Sequence, residues 1–93
     1  MWDETRIAVL LRTNDNAVER AMVRLYKRQT LDERRDTTTR HLNRIGFSAS
    51  DAKRGSRFAR WVLQGKRLTG WHLEQAREMA LKYRRQLVDV ANR

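Results

Sequence analysis

Apolar residues recur along this chain at helical spacing, with polar and charged residues between them, and that period predicts helices rather than strands. In "DETRIAVLLRTN", Ile7, Leu10 and Leu11 share one helical face. The β-branched content of that stretch leaves a strand open as the alternative. In "TNDNAVERAMVRLYKRQ", Ala17, Val18, Ala21, Met22, Leu25 and Tyr26 keep the helical period, while Arg20, Arg24, Lys27 and Arg28 fall largely elsewhere. Asn16 followed by Glu19 has the form of a capping box at the start of this helix. Thr30 and Glu33 repeat the pattern, which predicts a new helix or a kinked continuation there, weakened by Thr37 to Thr39. "RHLNRIGF" then suits a helix C-terminus, with basic residues ahead of a turn at Gly46.

A further helix is expected from about Ala49 to Gln64, with Ser48 and Asp51 as its capping box and Gly65 as its C′ residue. Ala52, Gly55, Ala59 and Val62 form a stripe of small side chains with Phe58 beside it, so a neighbouring helix is expected to come close along that face. The last helix carries the strongest pattern. Thr69 is placed as its N-cap, and Leu68 can contact Leu73 as a hydrophobic staple. Leu73, Ala76, Ala80, Tyr83, Leu87 and Val90 then form one seam to near the C-terminus, which predicts a single long helix. The expected fold is all-α: one domain over residues 1–93, a small bundle of four to five helices with a long C-terminal helix.

Composition narrows the picture. A chain of 93 residues buries only about 65% of its unfolded surface, enough for one modest core. With 40% apolar and 34% charged residues and no proline, it falls in the globular rather than the disordered class. It has no cysteine, which excludes disulfides and thiolate metal sites. The longest apolar run, Ile7 to Leu11, is far short of the roughly 20 residues of a membrane span. It follows Asp3 and Glu4 rather than a basic segment, so no secretion signal is expected and the protein is placed in the cytoplasm.

The net charge of +10 changes the picture most, and it is uneven: −1 over residues 1–16, +4 over 17–45 and +7 over 46–93. Self-repulsion of this size calls for a partner that absorbs charge: nucleic acid first, an acidic protein surface second and an anionic membrane third.

Three stretches, "NDNAVERAMVRLYKRQTLDE", "GFSASDA" and "GKRLTGWHLEQAREMALKYRRQL", resemble in order and spacing short helical proteins of bacteriophages and mobile elements, mostly without an assigned function. The resemblance covers roughly residues 13–88. It implies a compact helical domain working in the company of nucleic-acid enzymes, in the host cytoplasm if phage-encoded, and carries over no activity residue by residue. The chain departs from that pattern at "LTGWH" and in the more basic "DAKRGSRFARW", which makes the basic stretch its specialisation.

That stretch, "KRGSRFARWVLQGKRLTGWH", holds six cationic side chains, two tryptophans and no carboxylate. On a helix, Lys53, Arg57, Arg60 and Gln64 make one stripe opposite the small-residue face, bordered by Arg54 and Trp61. Lys66 and Arg67 extend the charge into the turn, and Trp71 follows. Arginine and lysine neutralise phosphates and release counterions without reading sequence. A tryptophan face can stack an unpaired base. The nucleic-acid-binding candidates are therefore Lys53, Arg54, Arg57, Arg60, Trp61, Lys66, Arg67 and Trp71, with the bland alternative that the stripe is a solvated face and the tryptophans partly core.

Two other basic groups pose the same question: Arg77, Lys82, Arg84 and Arg85 on the outer side of the last helix, where Glu78 is spaced to pair with Lys82, and Arg20, Arg24, Lys27 and Arg28 with Arg34 and Arg35. A helix-turn-helix is a weaker alternative, in which Trp71, His72, Gln75 and Arg77 would face bases. Val23, Leu81 and Val88 lie off the main seams, either as an apolar patch or packed under the first helix. His41 and His72 stand without metal-ligand neighbours, and no phosphate loop or nucleophile motif occurs, so neither catalysis, a cofactor nor a metal is expected. The expectation is a phage or mobile-element accessory protein that binds DNA or RNA through phosphate contacts. Its rival is a protein-binding inhibitor or adaptor of anti-defence type, aimed at a host nucleic-acid enzyme or nucleoprotein complex.

Overall fold

Asp3 starts the first helix: its carboxylate accepts the Arg6 N–H at 2.8 Å, and α1 runs Glu4–Thr13. The computed structural model describes residues 1–35 and 46–92, with side chains described over 1–28 and 46–92. The first segment is a helix and not a strand, because Ile7, Ala8 and Leu11 reach the core from one face.

Asn14 serves two helices. Its backbone N–H bonds to the Leu10 carbonyl at 2.9 Å to close α1, and its side-chain oxygen accepts the Ala17 N–H at 3.1 Å to open α2, Asp15–Arg35. The capping box expected at Asn16 and Glu19 does not form, because the Glu19 carboxylate is drawn into the interior. No new helix begins at Thr30 either. With no glycine or proline to stop it, α2 propagates past that point. The expectations for Thr37 to Thr39, and for "RHLNRIGF" before Gly46, lie outside the described residues.

Helix α3 spans Ala49–Leu63. Ser48 is its N-cap, but Asp51 does not reciprocate: the Ser48 N–H donates to the Tyr83 hydroxyl at 2.9 Å instead. At the far end, Gly65 sits at φ 86°, the Gly65 N–H reaches the Val62 carbonyl at 2.9 Å and the Lys66 N–H reaches the Trp61 carbonyl at 3.2 Å. That is a Schellman motif, for which a left-handed glycine is the natural residue.

The expected single C-terminal helix is two: α4, Gly70–Lys82, and α5, Arg84–Ala91. Tyr83 breaks it at φ −103° and ψ 20°, where its N–H bonds one residue short, to Ala80 at 3.0 Å. The reason is tertiary. The Tyr83 ring lies edge-on to Phe47 at 5.8 Å, and its hydroxyl donates to Asp51 at 2.6 Å, so the residue serves α3 rather than its own helix.

Helix α2 touches every other helix, and Leu11, Val18, Met22 and Leu25 are its fully buried centre together with α1. Leu68 and Leu73 are both buried in that core, as the staple requires. Leu81 and Val88 pack against it, so they do not form a free apolar patch. Helix α2 packs close against α3, as the small-residue stripe predicts, and at Gly55 the stripe also admits the ring of Phe47, 2.6 Å from where a Cβ would stand. At the ends of the chain, Trp2 and Asn92 exchange two hydrogen bonds of 2.9 Å. The radius of gyration, 12.8 Å, is close to the about 12 Å of a compact chain this long. Among the described residues every regular element is a helix, and no helix is long and apolar enough to cross a membrane.

Candidate nucleic-acid interface

The amphipathic period of α3 decides which way its cations point. Gly55, Phe58 and Ala59 are buried against the body, which turns Lys53, Arg54, Arg57 and Arg60 outward, all exposed. No carboxylate among the described residues pairs with Lys53, Arg57, Arg60 or Lys66. Arg54 stands on the other flank, in a polar recess with Asp51, Gln75, Glu78 and Lys82.

The Schellman turn folds Lys66 back over the last turn of α3. Its ammonium lies 4.3 Å from the centre of the Trp61 ring, a cation–π contact. The Trp61 indole N–H donates to the Arg67 carbonyl at 3.2 Å, which fixes the ring although 44% of the residue is exposed. Trp71, in the first turn of α4, is 68% exposed and touches only the edge of His72 among aromatic neighbours, at 5.3 Å. The two tryptophans are therefore surface residues.

Arg67 differs from the other candidates. Its Nε lies 3.1 Å from Oε1 of Glu19, whose side chain is only 8% exposed, and its Nη2 donates to Asn16 at 2.7 Å. The same Glu19 carboxylate accepts the Leu68 N–H at 2.7 Å. Arg67 thus has its charge matched within the fold and holds the turn onto α2. The sequence pattern places Glu19 in a capping box instead of in this interior pair. Its signal was available: an acid beside Val18 and one turn from Met22, on the apolar stripe.

Between α3 and the start of α4 lies a cleft of about 90 Å³, lined by Arg57, Phe58, Trp61, Arg67, Leu68, Thr69 and His72. Its walls are mainly apolar and its rim is cationic. His72 meets Phe58 edge-on at 6.2 Å, so it is a member of this cleft and not an isolated histidine.

The outer group of the C-terminal helices is internally paired. Arg77 donates to the Leu11 carbonyl at 2.5 Å and to Asp15 at 2.6 Å, with Glu74 at 3.3 Å, and hydrogen bonding to Asp15 first of all holds its guanidinium above its ordinary pKa. A helix-turn-helix reading needs Arg77 free to face bases, and it is not. Lys82 pairs with Asp51 at 2.8 Å rather than with Glu78. Arg84 and Arg85 approach Glu4 at 3.4 and 3.6 Å. Arg28 reaches Asp89 at 3.6 Å, while Arg20, Arg24 and Lys27 are exposed.

Burial by itself would push the Asp51 carboxyl up. Hydrogen bonds from Lys82 and Tyr83, with the charges of Lys82 and Arg54, outweigh it and hold the group below its ordinary value. Among the described residues no group of three His, Asp or Glu side chains could hold a metal ion. No family model, curated protein or solved structure matches this chain.

Proposed function

We propose that this protein is a nucleic-acid-binding module rather than an enzyme, holding the phosphate backbone on the outward face of α3 and the turn that follows. Lys53, Arg57, Arg60 and Lys66 supply the cations, with Arg54 at the edge and Arg67 supporting the turn. The observation that carries the reading is the division of charge. Arg28, Arg67, Arg77, Lys82, Arg84 and Arg85 each meet a carboxylate, while Lys53, Arg57, Arg60 and Lys66, gathered on α3 and its following turn, meet none among the described residues; Arg20, Arg24 and Lys27 on α2 likewise meet none. Unmatched charge on one helix face is what phosphate neutralisation needs, and it confers affinity without sequence reading. In a phage or mobile element, the setting implied by the sequence resemblance, such a module is an accessory to nucleic-acid enzymes.

The test is fluorescence anisotropy of labelled single-stranded DNA, duplex DNA and RNA across a salt series, with a variant carrying Lys53→Ala, Arg57→Ala and Arg60→Ala. The expected result is a steep salt dependence whose slope falls by about 0.9 on duplex DNA, and about 0.7 on a single strand, for each phosphate contact removed. Affinity that ignores salt, or that the triple variant leaves unchanged, overturns the reading and turns the search to an acidic protein surface on a host enzyme or nucleoprotein complex.

A further inference from the structure

The cleft beside the basic face raises a question that phosphate binding does not answer. A surface built only to neutralise charge has no use for two exposed tryptophans, yet Trp61, 44% exposed, lines this cleft, and Trp71, 68% exposed, meets its lining residue His72 edge-on at 5.3 Å. Resting on the reading above, we infer that the cleft between α3 and α4 takes an unpaired nucleobase, so that the ligand class is a single strand, DNA or RNA, rather than intact duplex.

Size, polarity and ring geometry support this together. At about 90 Å³ the cleft is well below the roughly 300–1,000 Å³ of sites that enclose whole small molecules, so it suits one ring rather than a cofactor. Its apolar wall is Phe58, Trp61 and Leu68, which favours a flat, poorly solvated ring. Arg57 at its margin, with Lys66 above Trp61, favours a ring that carries phosphate. Phe58 and His72 meet at 72° and Trp71 and His72 at 67°, edge-on rather than in parallel stacks, and the Trp61 and Trp71 rings keep exposed area although Lys66 lies over one face of Trp61. An unpaired base can use such a face. A base in a duplex cannot, because both its faces are already stacked. Lys53 and Arg60, along the same helix, extend the charge beyond one phosphate and so favour a strand over a free mononucleotide.

The experiment compares oligothymidine, oligouridine and a hairpin duplex, by anisotropy and by quenching of intrinsic tryptophan fluorescence. The proteins are the wild type, Trp71→Ala, Trp61→Leu and the Lys53/Arg57/Arg60 triple variant, each checked for its helical circular-dichroism melt. Trp71 is so exposed that its replacement leaves the fold intact. The expected result is quenching by both single strands and not by the hairpin, with a loss of roughly 5- to 150-fold in single-strand affinity for each tryptophan variant and little change for the duplex. Equal affinity for strand and hairpin, without quenching and unmoved by either tryptophan variant, overturns the inference. In that case the salt slope and the loss in the triple variant still stand, so the phosphate reading survives it. Absence of salt-dependent binding to all three probes removes both.

Discussion

The buried carboxylate of Glu19 accepts the backbone N–H of Leu68 at 2.7 Å, and this bond positions the turn that presents the candidate interface. Glu19 also holds Arg67. Replacing it with alanine leaves a buried N–H unsatisfied and a guanidinium without its counter-charge. The expected cost is about 1–3 kcal/mol, with Tm falling about 4–8 °C per kcal/mol in a domain this size. Glu19→Gln keeps an acceptor for Leu68 and is expected to cost less. Thermal melts of the two variants check the order, and equal losses would show that the Leu68 bond contributes nothing of its own.

Gly55 is expected to resist even alanine. A Cβ there meets the Phe47 ring at 2.6 Å. Phe47 is itself buried and held edge-on by Tyr83. Overpacking of this kind costs about 1–3 kcal/mol, against a helix-propensity gain of up to about 1 kcal/mol. Gly55→Ala should therefore destabilise, and Phe47→Leu, which shortens the obstructing side chain, should make the added methyl less costly in a double-mutant cycle. Urea unfolding of the four proteins tests this; additive effects would mean the two sites do not meet.

Asp51 sets an acid limit to stability. Its folded carboxyl titrates below the unfolded value, so its contribution is complete above about pH 4 and is lost as pH falls through the folded value. Lys82 is shifted the other way, upward, chiefly by its hydrogen bond to Asp51. Its contribution is complete below about pH 10 and is lost as pH rises through the folded value. Asp51→Asn should lower the urea midpoint at neutral pH and flatten its decline in acid. Parallel curves for wild type and variant would remove Asp51 from the account.

Charge removal should separate binding from stability. Arg77→Ala takes away an anchor between α4 and the α1–α2 junction, with an expected loss of about 1.5–3 kcal/mol and little change in nucleic-acid affinity. Arg57→Ala and Arg60→Ala remove unmatched charge from a chain of net charge +10, so Tm should hold or rise while affinity falls. Melts and anisotropy on the same preparations decide it. Equal affinity losses at Arg77 and Arg57 would mean that internal pairing does not discriminate the surfaces.

Much of the fold was legible because the signals were local. The stop at Gly65, the N-caps at Ser48 and Thr69 and the outward stripe of Lys53, Arg57 and Arg60 each depend on residues within one or two helical turns. The failures had one character. Asn16 with Glu19 and Ser48 with Asp51 have the spacing of capping boxes, but in each the acid is claimed by a partner far along the chain. The unbroken seam from Leu73 to Val90 concealed the break at Tyr83, because nothing near Tyr83 in sequence shows that its hydroxyl will serve Ser48 and Asp51.

The sequence by itself determined that the chain is helical, that its positive charge concentrates between Lys53 and Arg67, and that the small-residue face of α3 is inward, since each follows from period and composition over a short span. Tertiary structure alone decided which cations are unmatched. Arg67 meets Glu19 across 48 residues, Lys82 meets Asp51 across 31 and Arg77 meets Asp15 across 62. A charge becomes part of the fold or part of the surface only when packing brings its partner near, and helical period carries no information about that distance.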